Sequence, residues 1–276
     1  MSITLEKKQG LIAGDGQLPV QLAQNAVKSG FEVVAVSLSA DNRNELKKYC
    51  SKVYSIGPGE LLKMKNILES ENIKQITFIG KVHKGLIIKR PKFDSLAIEF
   101  LKEAKKLNDD AVMLFIVEKL KTIGVTVLDQ TIFIKNLMVP TGVLGKHKPT
   151  EEQVEDVKYG FWLAKEMGKV DIGQSVVIKN KMVMAVEAIK GTDKCIERGC
   201  KYGKKDCCVV KVAKPSQDKR FDIPAFGLKT LKVMKKHGAN LIAVEAGETI
   251  IVDQEETLKY ADKNNIVVIA VCKNFL

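Results

Sequence analysis

Short apolar runs alternate with amphipathic stretches along the whole of this 276-residue chain. Gln9 to Ala13 reads as a strand that closes on a glycine turn, and residues 18–29 carry helical spacing. Residues 31–38 (FEVVAVSL) form a second strand, with a third over 52–56 and a helix near 60–69. The run 76–79 (ITFI) is a further strand ending at Gly80. Helical patterns then cover 95–107 and 110–123, and 125–128 returns to strand. Strands alternating with helices predict a parallel, Rossmann-like α/β sheet, in which ligands lie at the carboxyl ends of the strands.

The second half is patterned differently. Residues 140–149 carry glycine and proline and read as a linker between a domain at 1–139 and another at 150–276. Thr150 offers a helix cap, and the helix after it is expected to run to Met167 and stop at Gly168. Residues 175–178 and 182–189 alternate in polarity as a hairpin across Asn180, and Thr192 or Asp193 is placed to cap the next helix. A strand at Cys208, a helix over 228–237, strands at 241–244 and 249–252, a helix from Glu255 and a strand over 266–271 complete a mixed α/β domain.

Between the strand at 208–210 and the helix at 228–237 lies a polar stretch without periodicity, from Lys211 to Gly227. Lys214 precedes Pro215, and Gln217, Asp218, Arg220 and Asp222 lie between that proline and Pro224. The prolines forbid a regular helix or central strand here. A strand-to-helix junction is where a rigid scaffold presents chemistry. Asp218 and Asp222 can hold a divalent cation through hard carboxylate oxygens. Lys214 and Arg220 can neutralise phosphate oxygens, the arginine as a bidentate fork. Together these residues suit phosphoryl chemistry. The same residues also permit a solvated loop with weak surface ion pairs.

Charge narrows the partners. A formal net charge of +12 favours phosphorylated metabolites, an anionic membrane surface or nucleic acid. Aromatic residues are only 6% and no standard nucleic-acid motif is present, so nucleic acid is not an expected partner. Without a run of 18 apolar residues or a signal-peptide core, a cytoplasmic protein is expected. Cys195, Cys200, Cys207 and Cys208 cluster, but their spacing departs from the paired knuckles of a zinc site. Cys207 and Cys208 should point to opposite faces of their strand, so reduced thiols are expected.

The turn Gly14-Asp15-Gly16 invites comparison with G-x-G-x-x-G, yet Pro19 replaces the third glycine. Asp15 would repel a phosphate there unless a metal intervened. The turn is therefore expected to face an anion or nucleotide rather than to hold NAD or FAD. Gly80, Lys81, Val82, His83 and Lys84 could bind phosphate or form a basic surface turn. Asn108, Asp109 and Asp110 begin a helix, where carboxylates favour the positive end of the dipole. Glu187, before Gly191, Thr192 and Asp193, is expected to be a paired structural carboxylate. The three histidines share no metal-site spacing.

Several segments, in order, resemble one family: Gly14-x-Gly16-x-Leu18-Pro19, Gly80-Lys81-Val82, Asp109-Asp110-Ala111, residues 171–177 (DIGQSVV) and 185–193 (AVEAIKGTD). The segment holding Lys214-Pro215, Gln217-Asp218 and Arg220-Phe221-Asp222-x-Pro224 follows, then 243–247 (AVEAG). This series looks like the UDP-2,3-diacylglucosamine pyrophosphatases of lipid A biosynthesis that are unrelated to calcineurin-type metallophosphoesterases. The resemblance implies two α/β domains with substrate in the cleft between them, and closure of one domain on the other. It implies hydrolysis to 2,3-diacylglucosamine 1-phosphate and UMP with a divalent cation, usually magnesium, and suggests water attack at the sugar-linked phosphorus.

The family's essential aspartate falls on Asp222. On that footing Asp222 and Asp218 hold the metal or orient water, and Lys214 and Arg220 offset negative charge. Gly14, Asp15, Gly16, Lys81, Gln217, Gly191, Thr192 and Asp193 are expected on the substrate. Asn108, where the family often carries glycine, and the residues around Pro140 depart from its pattern. The implied partners are the nucleotide lipid, its product and, reversibly, the inner face of the cytoplasmic membrane. A non-catalytic nucleotide or nucleotide-sugar binding module is the alternative.

Overall fold

In a computed structural model, which describes residues 4–81, 93–103 and 109–272, β1 (Lys8–Ala13) and β2 (Glu32–Ser37) each bury five consecutive residues. A run of this kind, rather than an alternation, marks strands covered on both faces. Between them lies α1 (Leu18–Lys28), which takes Pro19 in its first turn, where the missing N–H costs nothing. α2 (Arg43–Leu46), β3 (Lys52–Ser55), α3 (Leu61–Ser70) and β4 (Gln75–Ile79) follow. Beyond them come α4 (Ser95–Glu103), α5 (Asp109–Thr122) and β5 (Thr126–Val127). The sheet is wholly parallel in the order β3-β2-β1-β4-β5. Ile12, Val34, Val36, Met64, Leu68 and Ile76 form one of its cores.

Residues up to Ile134, together with Lys219–Phe221, make the first of two units; the second holds Lys135–Asp218 and the chain from Asp222. The second unit comprises β6 (Gly142–Val143), α6 (Glu151–Lys169), β7 (Ser175–Lys179), β8 (Met182–Val186), α7 (Gly191–Gly203) and β9 (Cys207–Lys211). It continues with β10 (Ala225–Phe226), α8 (Leu228–His237), β11 (Ala239–Glu245), β12 (Ile250–Ile251), α9 (Gln254–Lys263) and β13 (Val267–Val271). Its main sheet runs β6-β13-β11-β9-β7-β8, with β9, β11 and β13 parallel and the outer pairings antiparallel. β10 and β12 form a separate parallel pair.

Alternate strand residues feed two cores. Val177, Val209, Ile242, Val244 and Val268 meet Ile196 of α7, Leu231 of α8 and Ala261 of α9. Val176, Val210, Leu241, Ala243 and Ile269 meet Val157, Phe161 and Ala164 of α6, whose spacing is one helical face. Thr150 and Gln153 close a reciprocal capping box at the start of α6. Asn180 and Lys181 both take left-handed conformations in the β7–β8 turn, and the buried Asp156 carboxylate accepts both of their N–H groups at 3.0 and 2.6 Å.

Two expectations change. Residues 140–149, read as a linker, lie against the second unit: Gly142 and Val143 pair with Ala270 and Ile269, and the Lys146 N–H donates to the Asp262 carboxylate at 2.7 Å. Neither Thr192 nor Asp193 caps α7, because the helix starts at Gly191 with Lys190 at its cap position and without a side-chain cap. Residues 82–84 and Asn108, named above as candidates, lie outside the described residues.

At the amino end of the first sheet, the nearly buried Glu71 carboxylate accepts from Lys52 at 2.7 Å, from Lys8 at 2.8 Å and from the Tyr54 hydroxyl. These three donors, Lys52 foremost, draw its pKa down from 4.5 to about 2. A depressed carboxylate stabilises the fold fully above its unfolded value and loses that contribution as pH falls through its folded value. Glu71→Gln should therefore lower the thermal midpoint at neutral pH. The gap from wild type should narrow as pH falls from 4.5 toward about 2, followed by circular dichroism.

Candidate functional site at the carboxyl ends of the strands

In the second unit, Lys211 ends β9, opposite Val244 of β11 and opposite Ser175, the first residue of β7. Glu245 closes β11 beside Val271. Loops leaving this edge carry the polar side chains. Glu245 is 5% exposed, and its carboxylate accepts the Ala213 N–H at 2.9 Å and Lys165 Nζ at 2.5 Å. Lys165, half-buried, also donates to the Ala213 carbonyl at 2.8 Å, so one ion pair grips the chain just beyond β9.

The loop that follows is a compact turn. The Lys214 N–H donates to Gln217 Oε1 at 2.6 Å, and the Gln217 N–H returns to the Lys214 carbonyl at 3.0 Å. The Asp222 N–H donates to the Asp218 carbonyl at 3.0 Å, which puts the two aspartates in one turn. Lys214 Nζ lies 2.7 Å from Asp171 Oδ1 and 3.9 Å from Asp222 Oδ2, with its side chain only 15% exposed. The Gln217 side-chain amide nitrogen is buried with no hydrogen-bond partner, a donor left for a group from outside. Lys214, Gln217, Asp218 and Asp222 are thus brought together. Arg220 sits on the three-residue stretch that groups with the first unit, where the Lys219 carbonyl accepts the Gln130 N–H at 2.8 Å and Phe221 joins the core.

Thr192 joins a neighbouring network. Its hydroxyl donates to Glu187 Oε1 at 2.9 Å, accepts from Lys211 Nζ at 3.1 Å and lies 3.3 Å from the Ser175 hydroxyl. The Glu187 carboxylate also accepts the Gln174 N–H at 3.4 Å, and Thr192, as the second residue of α7, lies past the cap position. Asp193 pairs with the exposed Lys229 at 3.2 Å, and Gly191 takes a left-handed conformation. Asp171, Lys211, Lys165 and Glu245 were not singled out from the sequence as site residues. Asp171 and Glu245 fall within the segments 171–177 and 243–247; Lys165 gives no local signal.

The first unit presents a glycine clasp where the strand order reverses between β1 and β4, the position at which such sheets bind ligands. Asp15 and Lys81 exchange backbone hydrogen bonds at 2.7 and 3.1 Å, and the Gly14 N–H donates to the Ile79 carbonyl. A Cβ at Gly14 would meet the Lys81 carbonyl oxygen at 2.7 Å, and one at Gly80, where φ is +96°, would meet the Asp15 carbonyl oxygen at 2.8 Å. The buried Asn42 donates from its side chain to the Gly14 and Gly16 carbonyls at 2.6 and 3.1 Å. Gly14, Asp15, Gly16 and Lys81 are therefore assembled together by backbone contacts.

Among the described residues no three His, Cys, Asp or Glu side chains converge as a metal centre. The pair Asp218 and Asp222 nevertheless offers hard oxygen donors of the kind magnesium uses, sparsely, alongside water and substrate phosphates. Cys195, Cys200 and Cys207 lie in one core and Cys208 in the other, all as free thiols. Burial pushes Cys195 up to about 12, and the Cys200–Cys207 hydrogen bond lowers Cys207 while raising Cys200.

Fold and site define a two-unit α/β protein whose polar groups gather at the carboxyl ends of parallel strands. It belongs to the LpxI family: the model of the LpxI N-terminal domain matches residues 8–137 and that of the LpxI C-terminal domain residues 140–269. A Caulobacter vibrioides protein named UDP-2,3-diacylglucosamine pyrophosphatase LpxI is 29% identical over 281 residues, covering 96% of this chain and 98% of that one. Among solved structures, N5-carboxyaminoimidazole ribonucleotide synthetase from Thermotoga maritima overlaps 62% of this chain and 38% of its own, at 17% identity and TM-score 0.25. The biotin carboxylase subunit of pyruvate carboxylase overlaps 61% and 34%, at 16% identity and TM-score 0.22. These two overlaps are too slight to bear on fold or function.

The clasp is testable without substrate. The group facing Gly14 is backbone and cannot turn aside, so Gly14→Ala should cost about 1–3 kcal/mol of stability, as overpacking does. Chemical denaturation monitored by circular dichroism measures the loss. A midpoint equal to wild type would mean that the two turns are not in contact.

Proposed function

We propose that this chain hydrolyses the pyrophosphate bond of UDP-2,3-diacylglucosamine, giving 2,3-diacylglucosamine 1-phosphate and UMP in lipid A biosynthesis. The observation that carries the reading is the turn holding Lys214, Gln217, Asp218 and Asp222 at the carboxyl edge of the second sheet, in a member of the LpxI family. The named activity of the Caulobacter vibrioides relative, which spans nearly the whole chain, supports the same substrate.

Each residue has a physical part. The Lys214 ammonium, held between Asp171 and Asp222, offsets charge on the phosphate oxygens. Gln217 supplies the amide donor that the fold leaves without a partner. Asp222 accepts a hydrogen bond from the attacking water and takes its proton as the new oxygen–phosphorus bond forms. The bridging oxygen leaves with its electron pair, on UMP if water attacks the sugar-linked phosphorus. A divalent cation such as magnesium, held by Asp222 with Asp218, would supply Lewis-acid stabilisation of the phosphate oxygens. The Gly14–Gly16 turn and Lys81 serve the nucleotide, and Arg220 adds positive charge on the phosphates.

UMP release from UDP-2,3-diacylglucosamine in detergent micelles checks this directly. Wild type should turn over with magnesium and stop with chelator. Asp222→Ala, with an unchanged circular dichroism spectrum, should lose at least about a hundredfold in rate, in the range of a lost general base. Near-normal turnover by Asp222→Ala would reject its role.

A further inference from the structure

The loop after α6 and the loop entering α7 stand side by side at the edge of the second unit that carries Lys214 and Thr192. A Cβ at Gly173 would meet the Glu187 carbonyl oxygen at 2.5 Å, and Asp171 is bonded to Lys214. Both loops turn large apolar side chains outward. Val170 is 66% exposed, Ile172 51% and Ile189 90%. Scattered exposed apolar residues need no explanation, but three on adjoining loops beside a polar site form a patch, and such patches mark interaction surfaces.

The charge around the patch selects its occupant. Four acidic groups nearby are ion-paired, Asp171 with Lys214, Glu166 with Lys169, Asp193 with Lys229 and Glu197 with Lys194, and the half-buried Glu187 carboxylate is taken up by the Thr192 hydroxyl and the Gln174 N–H. That leaves Lys190 and Arg198 as a local positive surplus; both are exposed. Lys190 follows Ile189, and the Arg198 guanidinium donates to the Val186 carbonyl, which holds its charge at the same loop. An apolar tip flanked by two cations matches the boundary of an anionic bilayer, where isoleucine enters the acyl region and cations meet headgroup phosphates. No helix among the described residues is long and apolar enough to cross a membrane, so a reversible surface contact is the mode these loops fit.

We propose that Val170, Ile172 and Ile189, flanked by Lys190 and Arg198, dock the second unit on an anionic lipid bilayer. Docking there would bring the carboxyl edge of the sheet to the surface from which a diacylated substrate is drawn. In that purpose the inference rests on the proposed function, but its observations do not.

Co-sedimentation with vesicles that contain no substrate tests it. Wild type should bind phosphatidylglycerol vesicles in preference to phosphatidylcholine vesicles. The double variant Ile172→Asp/Ile189→Asp should bind at least about tenfold more weakly, as the loss of two inserted side chains requires. Its UMP release in detergent micelles should stay within about twofold of wild type. Lys190→Glu, at an exposed position, should weaken binding and blunt the preference for anionic lipid.

Absence of vesicle binding by wild type, or undiminished binding by the double variant, would overturn the docking surface. So would loss of micellar turnover by a folded double variant, which would assign the patch to the acyl chains of the substrate. Failure of wild type to release UMP would instead refute the reaction and leave the vesicle result standing.

Discussion

The ion pair between the half-buried Lys165 and the buried Glu245 is the contact on which the second unit's site depends. It joins the middle of α6 to the last residue of β11 and binds both backbone groups of Ala213 between them. Breaking such a pair strands a charge away from water, at a cost of about 3–5 kcal/mol. The next residue is Lys214, so the ion pair fixes where the cation of the site begins. A Cβ at Gly168 would lie 3.2 Å from the Lys214 Cα, so the end of α6 backs the same turn.

The two-faced sheet explains why the polar groups gather where they do. Every side chain along β9, from Cys207 to Lys211, is buried, and successive apolar residues enter opposite cores. Helices close both faces, so uncompensated polar groups are excluded from the middle of the strands. They collect at the carboxyl edge, where loops can satisfy them with backbone donors and with one another. The first unit solves the same problem with glycine: its clasp satisfies the β1 and β4 loops through main-chain bonds and leaves the Gly16 turn open in front.

Much of this was legible in the sequence. The unbroken apolar runs of β1, β2, β9 and β11 identify buried strands, and the prolines at 215 and 224 isolate the polar turn. Asp222 stands out because a family resemblance and the residue chemistry converge on it. What stayed hidden was pairing across distance. Lys165 meets Glu245 over 80 residues, and Asn42 reaches Gly14 over 28, with no local pattern to announce either. Residues 140–149 read as a linker because a two-residue edge strand is too short to show a period. Thr192 looked like a cap because its type suits one, yet the helix already starts at Gly191 and the Thr192 hydroxyl meets Glu187 and Lys211 instead.

The central claim is that the turn after β9 neutralises and holds the pyrophosphate, and Lys214 is its most exacting test. The rate of UMP release from UDP-2,3-diacylglucosamine by Lys214→Met, with the fold verified, measures it. The account predicts a fall of at least about a hundredfold, the scale of a lost electrostatic contact to the transition state. A rate close to wild type would contradict it.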